Sequence, residues 1–125
     1  MKYLLDVNVL LAAMWANHSR HAEVFGWLPG KSVVVCPLVE LGFLRISTNP
    51  RAINASMDEA RTLLERFLEE RDVAQISDDL PALASHAVTS QQVTDHYLAD
   101  LAAKYGLKLA TLDRQLAHPH AEAIA

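Results

Sequence analysis

The chain has one cysteine, four glycines and no surplus of basic charge, and each shortage excludes something. A lone cysteine, Cys36, cannot close an intramolecular disulfide, so a disulfide-stapled secreted scaffold is excluded and a reducing, cytoplasmic setting is expected. In the run "SVVVCPLVE" it reads as a small buried hydrophobe. The few glycines form no phosphate-cradling loop, and neither a nucleophile elbow nor a cysteine pair is present. A net charge of −4 speaks against a broad basic face for nucleic acid. That balance misleads if several carboxylates are gathered to hold cations, because a bound metal inverts the local field. No apolar run reaches the length of a membrane helix. Asp6 and Asn8 interrupt the opening "MKYLLDVNVLLAAMWA" where the apolar core of a signal peptide would lie.

What is present is an ordinary folding composition. With 125 residues, 51% hydrophobic and 21% charged, the chain is expected to form one domain over residues 1–125. Tyr3 to Leu5 reads as a short buried strand, and "VLLAAMWA" as a helix after a turn at Asp6 to Asn8. A second helix is predicted in "SRHAEVFGWLPG", capped by Ser19 and ended by Pro29 and Gly30. "SVVVC" is β-branched and gives a second strand, after which Pro37 suits the first position of the helix "PLVELGFLRIS". "TNPRAINAS" is a loop. Ser56 stands three residues before Glu59, a capping-box spacing that opens a helix to about Arg71. "DVAQIS" reads as a third strand, "DLPALASHAV" as a short helix, and "TDHYLADLAAKYG" as a helix stopped by Gly106. "LKLAT" is a fourth strand and "EAIA" the remnant of a fifth. Strands alternating with helices predict an α/β fold with a mostly parallel sheet of four to five strands, covered on both faces.

Four carboxylates occupy places that need a reason. Asp6 sits at the carboxyl end of a buried strand, where open α/β sheets bind ligands, although an aspartate there also caps a following helix. Glu40 is the only charge between Pro37 and Leu44, on a helix whose apolar residues point nearly all round. A helix of that kind is buried, so the carboxylate needs a cation or a donor, with Arg45 or Arg51 as the alternative partner. On the later helix, Asp95 lines up with Leu98 and Ala102 at the edge of the apolar face, whereas Asp100 lies on the far side and reads as solvated. Asp113, in "TLDR", follows the fourth strand two residues after Thr111. Four acids at one sheet edge repel one another unless hard divalent cations intervene, magnesium or manganese above all. The histidines do not compete for this role. His18 and His21 lack a third ligand, His118 and His120 sit in a polar tail, and His96 reads as structural.

The blocks "LLDVNVLLA", "CPLVELGFLRISTNP" and "TDHYLADLAAKYGLKLATLDR" together resemble, over nearly the whole chain, the PIN-domain ribonucleases, specifically the VapC-type toxins of toxin-antitoxin pairs. The resemblance implies a PIN-like three-layer α/β/α sandwich. It implies a magnesium site, with manganese possible, formed by Asp6, Glu40, Asp95 and Asp113. Asp6 and Asp95 are the first choices as direct ligands, and Asn8 and Thr111 hold ligands or water in place. Arg45, Arg51 and Arg114 are candidates for steering the RNA backbone. The implied activity is endonucleolytic hydrolysis of RNA by a metal-activated water, with no protein nucleophile. The implied partners are an RNA substrate, a VapB-type antitoxin and a second copy in a homodimer, with "VFGWL" either lining the antitoxin groove or belonging to the core.

Other readings place acids at strand ends as well. A phosphatase of the haloacid-dehalogenase kind needs an aspartate where Asn8 stands. A receiver-like domain needs paired acids after the first strand and a late lysine. A catalytically inactive binding domain does not require all four acids, and a DNA-directed nuclease differs only in its substrate.

Overall fold

The structure, a computed structural model, describes residues 2–124. Five strands, β1 (Lys2–Leu5), β2 (Ser32–Val35), β3 (Ala74–Gln75), β4 (Lys108–Thr111) and β5 (Ala121–Ala123), form one all-parallel sheet in the order β3-β2-β1-β4-β5. Five α-helices join them: α1 (Val7–Met14), α2 (His21–Trp27), α3 (Pro37–Ser47), α4 (Met57–Glu70) and α5 (Val93–Lys104). The central strands β1, β2 and β4 bury three of their four residues each, as expected where helices cover both faces. The expected α/β sandwich is therefore present, and a fifth strand is found at Ala121–Ala123, overlapping the predicted "EAIA" at Glu122 and Ala123, while Ala125 lies outside the described residues.

Two local signals act as their spacing predicts. Ser56 Oγ accepts the Glu59 N–H at 3.1 Å while Glu59 Oε1 accepts the Ser56 N–H at 3.4 Å, closing the capping box of α4. At the end of α5, Gly106 takes φ +69, and the Leu107 N–H returns to the Ala102 carbonyl at 2.8 Å.

Other expectations are corrected. Ser19 does not cap α2. The helix begins at His21 with Arg20 at the N-cap position and no side-chain cap, and His18 Nδ1 accepts the Arg20 N–H at 3.0 Å within the preceding turn. The third strand shrinks to Ala74–Gln75, both exposed on the sheet edge, where only one neighbour offers a ladder. "DLPALASHAV" forms only a 3-10 turn at Ala82–Ala84, because Pro81 opens it and Leu83, fully exposed, has no face to bury against. Helix α3 is not buried all round: Val39, Gly42, Phe43 and Ser47 are inside, while Leu41 is 63% exposed.

The helix α3 also anchors α1. Trp15, which follows α1, donates its indole N–H to the buried Ser47 hydroxyl at 2.9 Å and stacks on Phe43. Gly42 allows a close approach on the same side, since a Cβ there would meet Val7 Cγ2 at 2.8 Å. Ser47→Ala strands the indole donor and is expected to cost about 1–3 kcal/mol in a urea melt, with no change in any activity of the distant acids.

Candidate active site

The sheet order reverses direction at β1, since the chain goes first to β2 on one side and later to β4 on the other. The carboxyl ends of β1 and β4 thus flank the switch point at which open α/β sheets bind ligands. Asp6 leaves β1 there, and its N–H bonds to the Ala110 carbonyl at 3.1 Å, extending the β1·β4 ladder by one residue. Thr111 ends β4 on the other side of the switch point.

Asp6 is both a helix cap and a member of an acidic group. It is the N-cap of α1, which starts at Val7 without an intervening turn, so Asn8 lies inside the helix. Oδ1 accepts the Asn8 N–H at 3.1 Å, and Oδ2 accepts the Thr111 hydroxyl at 3.0 Å. The residue is 4% exposed. Burial pushes its pKa from 3.8 up to about 6; the nearby Asp95 adds to the rise, Asp113 adds less, and the Asn8 and Thr111 bonds oppose it. A carboxylate kept as a cap alone has no reason to face two other acids.

Asp95 lies in the first turn of α5, half-buried on the side that also carries the buried Leu98 and Ala102, as the helical spacing predicts. Its carboxyl is raised by burial and then by Asp113. Asp113 is exposed after β4. Its N–H donates to Thr111 Oγ1 at 3.0 Å, and its Oδ1 accepts the Gln115 N–H at 2.9 Å. The Thr111 hydroxyl therefore donates to Asp6 and accepts from the Asp113 backbone, joining the two strand ends.

Glu40 stands in the first turn of α3, half-buried, and neither Arg45 nor Arg51 pairs with it. Its Oε2 accepts the Gln75 side-chain N–H at 2.9 Å, a partner that sequence reasoning missed because the two residues are 35 positions apart and meet only through β3. Burial raises the Glu40 carboxyl and the Gln75 bond lowers it.

The arginines divide. Arg45 is exposed and lines a cavity of about 360 Å³ with Leu38, Leu41, Gly42 and with Val7 and Thr94, the chain neighbours of Asp6 and Asp95. Arg51 lies in the turn after α3, at the end opposite Glu40, where its N–H caps onto Asn49 Oδ1 at 2.9 Å. Arg114 follows Asp113 and its charge reaches Glu23 of α2. The Asn8 side chain is exposed, and the residue acts on Asp6 through its backbone N–H.

Asp100 is not merely solvated. His118 Nε2 lies 2.8 Å from Asp100 Oδ1, and His118 Nδ1 accepts the His120 N–H at 3.0 Å, so this pair braces the loop before β5. His118 is accordingly shielded rather than part of a free polar tail, with its side chain 12% exposed.

Asp6, Asp95 and Asp113 are joined to one another through their charges, whereas the Glu40 carboxylate is joined to Gln75; each offers oxygen, the donor chemistry that suits a hard divalent cation. The charge that Asp6, Asp95 and Asp113 impose on one another gives such a cation its driving force. Among the described residues, no three acid, histidine or cysteine side chains are drawn into a closed coordination cluster.

Thr111→Val tests the joint between the strand ends. The substitution leaves an acceptor of Asp6 and the Asp113 N–H without their partner. It is expected to lower stability at neutral pH by about 2 kcal/mol in a denaturant melt. Any metal-dependent activity should fall by roughly 10–100-fold.

An acid site at the switch point of a three-layer α/β/α sandwich is the class of structure that fold and site define. A family model for the PIN domain matches residues 3–121. Ribonuclease VapC38 of Mycobacterium tuberculosis is 37% identical over 123 residues, spanning 88% of this chain and 84% of that protein. Ribonuclease VapC39 of the same species is 34% identical over 128 residues, spanning 94% and 92%. In structure, the chain is similar to VapBC2 from Rickettsia felis, solved bound to a DNA fragment from its promoter, with a TM-score of 0.67 at 14% identity over 98% of each chain. It is also similar to FitAcB from Neisseria gonorrhoeae, with a TM-score of 0.52 at 20% identity over 90% and 88%. The chain belongs to the PIN-domain family, among its VapC-type ribonucleases. No helix among the described residues is long and apolar enough to cross a membrane.

Proposed function

We propose that the chain is the endoribonuclease toxin of a toxin-antitoxin pair and hydrolyses RNA phosphodiester bonds at the Asp6, Glu40, Asp95 and Asp113 site. The observation that carries this reading is Asp6, a buried carboxyl at the switch point, held by Thr111 and facing two further acids. When bound, magnesium, or manganese in its place, acidifies a water and offsets negative charge on the phosphate. Asp6 and Asp95 would hold the ion directly, with Glu40 and Asp113 completing the set. Thr111 fixes the orientation of the Asp6 carboxylate. Arg45, on the rim, binds the phosphate backbone that the acids alone would repel.

The partner surfaces separate from this site. Phe25, 57% exposed, lines a recess of about 390 Å³ with Met14, Leu63 and Phe67 and the charged Arg66, Glu70 and Arg71, which suits an amphipathic segment of a VapB-type antitoxin. Trp27 belongs instead to the core edge, packed against Tyr3 with ring centroids 5.0 Å apart. The exposed Leu41 and Val93, on α3 and α5, support a homodimer.

The test is cleavage of total cellular RNA by the purified chain in magnesium or manganese against EDTA. Discrete products that require the metal are expected. Absence of cleavage by folded, metal-loaded protein overturns the ribonuclease reading. Expression of the chain alone is expected to arrest growth, with relief by its co-expressed antitoxin.

A further inference from the structure

We propose that Gln75 is a positioning residue for this site: its amide holds one oxygen of Glu40 and leaves the other for a divalent cation. The inference rests on the metal-dependent reading above.

Strand β3 contributes nothing to the core. It has two residues, both exposed, and its ladder to β2 covers only Val34↔Ala74 and Val35↔Gln75. The Ile76 N–H then closes onto the Val35 carbonyl at 2.9 Å. The Gln75 backbone is thereby fixed to the last residue of β2.

Glu40 is fixed to the same strand end from the other direction. Cys36 follows Val35 as the N-cap of α3, and the Glu40 N–H bonds to the Cys36 carbonyl at 3.0 Å. Two backbones anchored at Val35 thus meet through the 2.9 Å bond from Gln75 Nε2 to Glu40 Oε2. The other oxygen, Oε1, accepts no hydrogen bond from the described residues.

The chemistry of the donor explains the choice of residue. A glutamate side chain has three rotatable bonds, and that freedom is lost when it binds a ligand. An amide restrains it beforehand. A lysine or arginine would restrain it too, but would cancel the charge that attracts the cation. Glutamine orients the carboxylate and leaves its charge intact, in the way that ligand carboxylates are themselves held by outer hydrogen bonds.

The experiment is manganese binding to the full chain, followed by electron paramagnetic resonance of the free ion, for wild type, Gln75→Met, Glu40→Gln and the double variant. Gln75→Met keeps the length and loses the donor. Its dissociation constant is expected to rise about tenfold, the low end for an outer partner of a metal ligand, with a melting temperature within about 2 °C of wild type. In the Glu40→Gln background the same change should add nothing, because the two act through one carboxylate. Gln75→Lys, which keeps a donor but adds a cation, should also weaken binding. Wild-type affinity in Gln75→Met, or an equal loss in both backgrounds, overturns the positioning role. If Glu40→Gln itself binds manganese like wild type, Glu40 is no ligand, and the four-carboxylate reading falls together with this proposal.

Discussion

Asp6→Asn is expected to abolish RNA cleavage and, in the same protein, to raise the stability of the metal-free chain at neutral pH. The loss of activity should be on the order of 1,000-fold, about 4 kcal/mol of transition-state stabilisation, because on the proposed reading a carboxylate that would hold the metal loses its charge. The gain in stability has a separate origin. A buried carboxyl with a pKa of about 6 in place of 3.8 is charged at pH 7.5 only against the preference of its surroundings. That opposition is worth on the order of 3 kcal/mol. Asparagine keeps the acceptor for the Asn8 N–H and can donate to the Thr111 oxygen, so the cap survives while the charge is gone. A urea melt in EDTA at pH 7.5 reads the stability and an RNA gel reads the activity. A destabilised Asp6→Asn would show that the aspartate is chiefly a cap.

The same shift sets the sign of the pH dependence. Between pH 3.8 and about 6 the folded chain binds a proton at Asp6 that the unfolded chain has released. The contribution of this group to stability therefore falls as pH rises through that window, and stays at its lowest above it. Asp95 and Glu40, both raised by burial, act in the same direction. In EDTA the wild-type melting temperature should drop from pH 5 to pH 7.5, and a divalent cation should restore it at the higher pH by binding the folded state alone. Asp6→Asn should flatten the slope and weaken the restoration.

Local chemistry made much of this legible in the chain. Strand ends were marked by β-branched runs, α4 by its capping box, and the acids by their position after strands or beside an apolar stripe, since each signal is carried within a few residues. What stayed hidden depends on register between distant segments. The Gln75 partner of Glu40 exists only because a two-residue edge strand stops level with Val35. The His118 brace on Asp100 exists only because the loop before β5 folds back over α5. Arg51 looked close to Glu40 along the chain, but a helix of 11 residues carries it to the opposite end. Leu41 misled for a related reason: an apolar side chain predicts burial only when something covers it, and here its face opens onto the groove beside the acids.

Asp95→Asn is the second large effect and separates the two acids of α5. Its cleavage should fall by roughly 100- to 1,000-fold, because on the proposed reading a half-buried carboxylate that would hold the metal loses its charge while the helix keeps its shape. Asp95 is also the neighbouring charge that most raises Asp6. Removing it should lower the Asp6 titration from about 6, while burial, the larger cause, keeps it above its ordinary value, as carbon-13 NMR of the side-chain carboxyls in EDTA would read. Asp100→Asn is the control on the other face of the helix. Its oxygen can still accept from His118 Nε2, so stability should change by less than about 1 kcal/mol and cleavage should stay within about twofold of wild type. If Asp100→Asn cripples cleavage as Asp95→Asn does, or if Asp6 titrates unchanged without Asp95, the two carboxylates do not share a site. A shared shift with selective loss would instead tie the burial of Asp6, the face of α5 and the chemistry to one pocket at the end of β1 and β4.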